Sequence, residues 1–286
     1  MYRNIAQLLE SAATESKSLA QIILESEAQL TDSSFPKIYM QMRTNWDVMQ
    51  KSAVKALHTA QDMTPPLIAG QAQKQEAYSA QDTLCGTPFN HMMAMAFSSS
   101  EVNAAMGRIC AAPTAGACGI LPAVVRTVAD KHGSNEAQIL DALLVASGFG
   151  AIITANATIS GAEGGCQAEC GTAAAMAAAA AVTLCGGTPD MCANAVAIAL
   201  INCMGLICDP VAGLVQLPCS FRNASQSANA LASADMALAG QVSVIPPDEV
   251  IDAMYRVGKS LPSSMRETAE GGIAATQTGK QIAKEL

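Results

Sequence analysis

Aromatic side chains are nearly missing from this chain: Trp, Tyr and Phe together supply 3% of its 286 residues, with a single Trp. That scarcity excludes a core built on large rings and leaves small and aliphatic side chains, which let helices approach closely. Positive charge is also scarce. Sixteen Lys and Arg face 24 Asp and Glu, for a formal charge of -8 and a pI near 4.9. Nucleic acid and anionic lipid both select clustered positive charge, so neither is an expected partner and small-molecule chemistry fits better. From His132 to Phe221 there is no Lys or Arg, and the charges present are Glu136, Asp141, Glu163, Glu169, Asp190 and Asp209. Such a stretch must be largely buried. The N-terminus lacks the unbroken apolar run of a signal peptide, so the cytoplasm is the expected location. Among the ten cysteines no CxxC pair occurs. In a reducing compartment these are free thiols, available for metal ligation, chemistry or packing.

What the chain does have is 50% hydrophobic content, alanine runs, 21 Gly and 15 Met. The expected fold is all-α, with a buried helical core rich in alanine and glycine and with glycine-rich loops at the site. Residues 1–61 read as an amphipathic helical region, with Pro36 in a first helical turn. The Pro pair and Gly of DMTPPLIAGQAQ mark 62–73 as a linker, and 74–286 as the helical core that carries the site. Ser134 is the expected N-cap of the helix over NEAQILDALLVASG, and Thr188-Pro189 opens another that ends at Gly205. Pro246-Pro247 starts a helix that stops before Pro262. The uncharged runs Cys170–Pro189 and Met191–Cys208 approach membrane-spanning length. Their Ala, Gly, Thr and Asn content, with no flanking bases or aromatic anchors, favours a buried core instead.

Three irregular segments interrupt the helices: AAPTAGACGILP (111–122), NATISGAEGGCQAE (156–169) and CDPVAGLVQLPCSFRNA (208–224). Irregular backbone inside a buried region usually serves a site. Cys166, Cys208 and Cys219 lie on them beside Gly or Pro, where thiolates can converge. Their spacing alone is uninformative, and most of the ten cysteines, Cys185, Cys192 and Cys203 included, read as core residues. Cys166 and Cys170, four residues apart, could reach one metal from a helix. Cys110 and Cys118 are alternative ligands with an equal claim to packing. His58 and His132 read as solvated, and His91 is a minor candidate for proton transfer.

The segments EVNAAMGRICAAPTAGACGILPAVV, NATISGAEGGCQAE, MGLICDPVAGLVQLPCSFRNA and DEVIDAMYRVGKSLPSSMRETAEGG resemble the alpha chain of the iron-sulfur-dependent L-serine dehydratases. The resemblance covers nearly the whole chain. It implies an enzyme that deaminates L-serine to pyruvate and ammonia by dehydration. It also implies a [4Fe-4S] cluster on Cys166, Cys208 and Cys219, with one iron left open as a Lewis acid. Pyridoxal phosphate is not expected, since the core from 132 to 221 lacks a lysine for its Schiff base. Thr114, Asn156 and Ser160 are the expected substrate contacts, with Ala115 and Gly116 offering N–H groups and Arg222 or Arg266 meeting the carboxylate. The α-proton base is not identified. The family also uses a second, regulatory-type domain that this sequence does not show, so a separate beta subunit is the expected partner. The rival readings are an L-cysteine desulfidase on a similar scaffold and a non-enzymatic helical membrane or scaffold protein.

Overall fold

A computed structural model describes residues 2–286, and among them the fold is all-α, with no strand. The helices are α1 (Ile5–Glu15), α2 (Leu19–Thr31), α3 (Phe35–Lys55), α4 (Gln71–Ser79), α5 (Thr87–Ala104), α6 (Ile120–His132), α7 (Glu136–Asn156), α8 (Gly161–Gly164), α9 (Thr172–Leu184), α10 (Pro189–Cys203), α11 (Cys219–Leu238), α12 (Pro247–Ser260) and α13 (Gln277–Lys284).

The centre is α9, whose sequence TAAAMAAAAAVTL is buried at every position from Thr172 to Val182. Alanine has the highest helix propensity and loses no side-chain entropy, so the segment is helical on local grounds and thin enough to be surrounded. Helices α6, α7, α10 and α11 pack around it. Glycines permit the closest approaches. A Cβ on Gly150 of α7 would sit 2.8 Å from Met176 Sδ, and one on Gly148 would collide with Ile23 of α2.

The core is continuous, running from Ile5 and Leu8 of α1 through Trp46 and Met49 of α3 to Met254 of α12. The N-terminal helices are tied in by polar contacts too: the backbone N–H groups of Ile5 and Ala6 donate to the Asp248 carboxylate at 2.8 and 3.0 Å. The Pro-rich segment 62–73 contributes buried Met63 and Ile68. It is held by Glu101 of α5, fully buried, whose carboxylate accepts from the N–H groups of Gln61, Gly70 and Ala72 at 3.3, 3.1 and 2.8 Å.

Helix starts follow local chemistry. Thr188 caps α10, accepting from Met191 N at 3.2 Å, and α12 begins on Pro247. The cap of α7 is Asn135 rather than Ser134: Asn135 and Gln138 exchange side-chain to backbone bonds at 3.0 and 2.8 Å, a capping box that Ser134 stands one residue too early to make. One helix, α7, is long and apolar enough to cross a membrane by length and composition, and 61% of its apolar window is buried against the rest of the protein.

Candidate functional site

The N-terminal end of α9 is where the buried polar groups gather. Gly165, at φ +76°, turns the chain out of α8 into Cys166, and a π-helical turn, Gln167–Gly171, leads directly into α9. A Cβ on Gly165 would sit 2.8 Å from the Leu206 carbonyl, so the tight entry depends on glycine. Gln167, fully buried, fastens the turn by donating to the Gly164 and Met254 carbonyls and accepting from Gly205 N.

Cys219 is the first residue of α11. Cys208 enters on an extended segment, where it pairs with the chain around Arg266: Cys208 N donates to Met265 O at 2.9 Å and Glu267 N to Cys208 O at 2.7 Å. Cys166 and Cys219 thus stand at helix N-terminal ends, where exposed N–H groups favour negative charge.

Arg222 joins the three cysteine segments. It lies one turn after Cys219 and donates to the Ile207 carbonyl at 2.8 Å and to Asp209 at 2.6 Å, residues on either side of Cys208. Its charge also acts on Cys166. Asp209, 2% exposed, accepts in turn from Ile273 N at 2.7 Å, and Gly272 is required beside it because a Cβ would strike the carboxylate.

The ionisation of the thiols reflects their crowding. Hydrogen bonding with Cys170, whose Sγ is 3.2 Å away, lowers the Cys166 thiol below its ordinary value against the effect of burial, and Arg222 adds to the lowering. The same bond raises Cys170 well above its ordinary value, burial adding to it. Burial raises Cys208, and the negative charges of Cys166, Glu169, Glu267 and Cys219 raise it further. Cys219 is pushed up to about 12 by burial and then by Cys166 and Glu169.

Glu169 and Glu267 are the functional candidates that sequence reasoning missed. Glu169 Oε1 accepts from the Thr114 hydroxyl and lies against Gly116, where a Cβ would be 2.5 Å from it. A Cβ on Gly161 would lie 3.0 Å from Cys208 Sγ, 3.2 Å from Glu267 Oε2 and 3.3 Å from Glu169 Oε2. One thiol and two carboxylates therefore close over a single glycine. Burial raises the Glu169 carboxyl above its ordinary value, opposed by the Thr114 bond and reinforced by Glu267. Asn223, fully buried on α11, holds the Thr114 loop in place by donating to Gly116 O at 2.7 Å and accepting from Gly119 N at 2.8 Å.

Of the expected residues, Cys166, Cys208, Cys219, Thr114, Gly116 and Arg222 are brought together. Ser160 precedes Gly161 and does not cap α8 with its side chain. Asn156 is turned to the N-terminal segment, donating to Arg3 O at 2.9 Å and Ile152 O at 2.8 Å. Arg222 is committed to Asp209, whereas the buried Nε of Arg266 has no partner. Cys118 points to Ser99 O, Cys110 is half-buried, and His91 pairs with Glu76 of α4 at 2.7 Å. Cys192 and Cys203 are buried, while Cys185 is half-exposed beside His132.

Among the described residues no group of three or more His, Cys, Asp or Glu is close enough to hold a single metal ion. A polynuclear iron-sulfur group is different, because each thiolate binds its own iron. Cys208 and Cys219, raised by burial and then by the charge of Cys166, with a buried and unpartnered Ser220 Oγ beside Cys219, fit such a cationic core.

The family model described as serine dehydratase alpha chain matches residues 14–274. The chain is similar to a probable L-serine dehydratase alpha chain of Bacillus subtilis, at 44% identity over 100% of this chain and 95% of that one. It is similar to an L-serine dehydratase alpha chain of Peptoniphilus asaccharolyticus, at 46% over 93% of this chain and 91% of that one. An L-serine dehydratase of Escherichia coli (strain K12) is 40% identical over 89% of this chain, which spans 56% of that protein.

Proposed function

This chain belongs to the serine dehydratase alpha-chain family, and from that premise we propose that it converts L-serine to pyruvate and ammonia at the thiol site where α9 and α11 begin. The observation that carries the mechanism is the convergence of Cys166, Cys208 and Cys219, strapped by one guanidinium and overlooked by two carboxylates. Cys166, Cys208 and Cys219 would hold a [4Fe-4S] cluster, which when bound supplies a Lewis acid for the departing hydroxyl oxygen.

The chain's own residues do the rest. Arg266, whose buried Nε is uncommitted, meets the serine carboxylate. Glu267 opposes the ammonium. Glu169, with Oε1 fixed by Thr114, takes the α-proton at Oε2, the oxygen that faces Gly161. Burial, which holds its carboxyl above the ordinary value, makes it a stronger base than a solvated carboxylate. Ser160 and the N–H groups of Ala115 and Gly116 line the approach. The α-proton and hydroxyl are lost as water, and the resulting enamine tautomerises and hydrolyses to the products.

Ten free thiols support a reducing compartment, the cytoplasm. The alpha-chain names of the relatives, with an Escherichia coli relative of which this chain spans only 56%, support a second, beta subunit as partner.

Anaerobic purification with iron and sulfide analysis, followed by a pyruvate assay before and after air, tests the proposal. About four irons per chain and an air-sensitive activity are expected. An iron-free protein that stays colourless after reconstitution with the partner chain would overturn the cluster reading.

A further inference from the structure

Cys170 takes no part in the function proposed above. It is buried on the same π-helical turn as Cys166, and their sulfurs are 3.2 Å apart. No other sulfur-to-sulfur hydrogen bond occurs among the described residues: Cys110, Cys118, Cys192 and Cys203 bond oxygen, and Cys185 meets a His132 nitrogen. Three residues separate the pair, Cys166 capping the turn and Cys170 lying within it, so closing the gap to the ~2.05 Å of an S–S bond takes a local adjustment and no approach of distant chain. Cys166 also interacts with the charges of Arg222 and Glu169, its own charge acts on Cys208 and Cys219, and Cys219 is half-buried.

We propose that Cys166 and Cys170 are a redox pair which hydrogen peroxide closes to a disulfide whenever Cys166 is not engaged as a ligand. The Cys166 sulfur attacks one peroxide oxygen, the O–O bond breaks, and the thiol becomes a sulfenic acid as the second oxygen leaves with the thiol proton as water. The Cys170 sulfur then attacks Cys166 Sγ and displaces its hydroxyl, which departs as a second water with the Cys170 proton. Two thiols and one peroxide thus give one disulfide and two waters, with sulfur oxidised and peroxide reduced. The consequence is protection. A sulfenic acid without a resolving thiol proceeds to sulfinic acid, which thiol reductants do not reverse, whereas the disulfide is recoverable.

The biological meaning of the pair rests on Cys166 being a ligand; its chemistry does not. The test uses the full chain freed of iron, treated with hydrogen peroxide, blocked with N-ethylmaleimide under denaturing conditions and digested by a glutamate-specific protease. Cleavage after Glu163 and Glu169 places the two cysteines on separate peptides. Because the peptide that begins at Cys170 runs to Glu249 and also carries Cys208 and Cys219, fragmentation of the linked species assigns the bond: the expected result is residues 164–169 joined at Cys170, released by dithiothreitol. Both cysteines found alkylated, or Cys166 joined to Cys208 or Cys219, would overturn the proposal.

In Cys170→Ser, peroxide should leave Cys166 trapped by dimedone or as sulfinic acid, with less iron taken up after reduction than in the unsubstituted chain. Equal recovery would overturn the protective role. Should that variant fail to fold, the peptide result on the unsubstituted chain decides alone. If the chain never takes up iron, the proposed function fails while the cross-link is still read. If iron binds through three cysteines and no cross-link forms, this inference alone fails.

Discussion

Helix α9 and the turn that feeds it lie end to end in the chain and obey different rules. From Thr172 to Val182 the helix buries small apolar side chains, and packing accounts for nearly every residue. The five residues before it, Gln167–Gly171, are almost as buried and carry an amide, a carboxylate and a thiol. Burying polar groups costs free energy unless partners or a ligand compensate. The first region is therefore shaped by how closely its neighbours must approach, and the second by what it has to hold.

The two regions can be separated by substitution. The largest effect is expected for Cys208→Ser, which should abolish iron retention and pyruvate formation while leaving the helical circular dichroism unchanged; collapse of the helical signal would mean that the thiol is structural. Next, Glu169→Gln should lower kcat by about 10²-fold or more with iron retained. The acid limb of kcat/KM should lie above the ordinary carboxylate range in the parent, because burial raises this carboxyl, activity appearing as pH rises and the proton leaves. That limb should be absent from the variant.

Ala178→Leu sharpens the contrast from the other side. An overpacked α9 should lose about 1–3 kcal/mol of stability, read as a lower Tm, with KM for serine unchanged at low temperature. Smallest of all, Arg256→Ala removes an exposed partner of Asp252 and should change stability by less than about 0.5 kcal/mol.

The all-α class was legible because alanine runs, scarce aromatics and a long stretch without bases leave few other ways to bury so much chain. The capping box of α7 was misplaced by one residue, since Ser134 and Asn135 are both good caps and the reciprocal bond to Gln138 decides between them. In the site, the resemblance pointed to three cysteines that spacing could not. Glu169 had a usable signal: an acid in a stretch without bases, three residues after Cys166, has to be buried close to the thiols. Glu267 had none. It reaches Gly161 from a distant loop, through a pairing with Cys208 that only the folded chain reveals. Asn156 has the side-chain chemistry of a substrate contact, but α7 presents it to Arg3.

Glu101 gives the Pro-rich segment before α4 an unexpected clock. Because the N–H groups of Gln61, Gly70 and Ala72 converge on one carboxylate buried in α5, those amides cannot meet solvent one at a time. Releasing them leaves a buried carboxyl group without its partners, so the segment opens with α5 or not at all. A stretch whose composition reads as a flexible tether thereby exchanges its hydrogens on the timescale of the protein's interior.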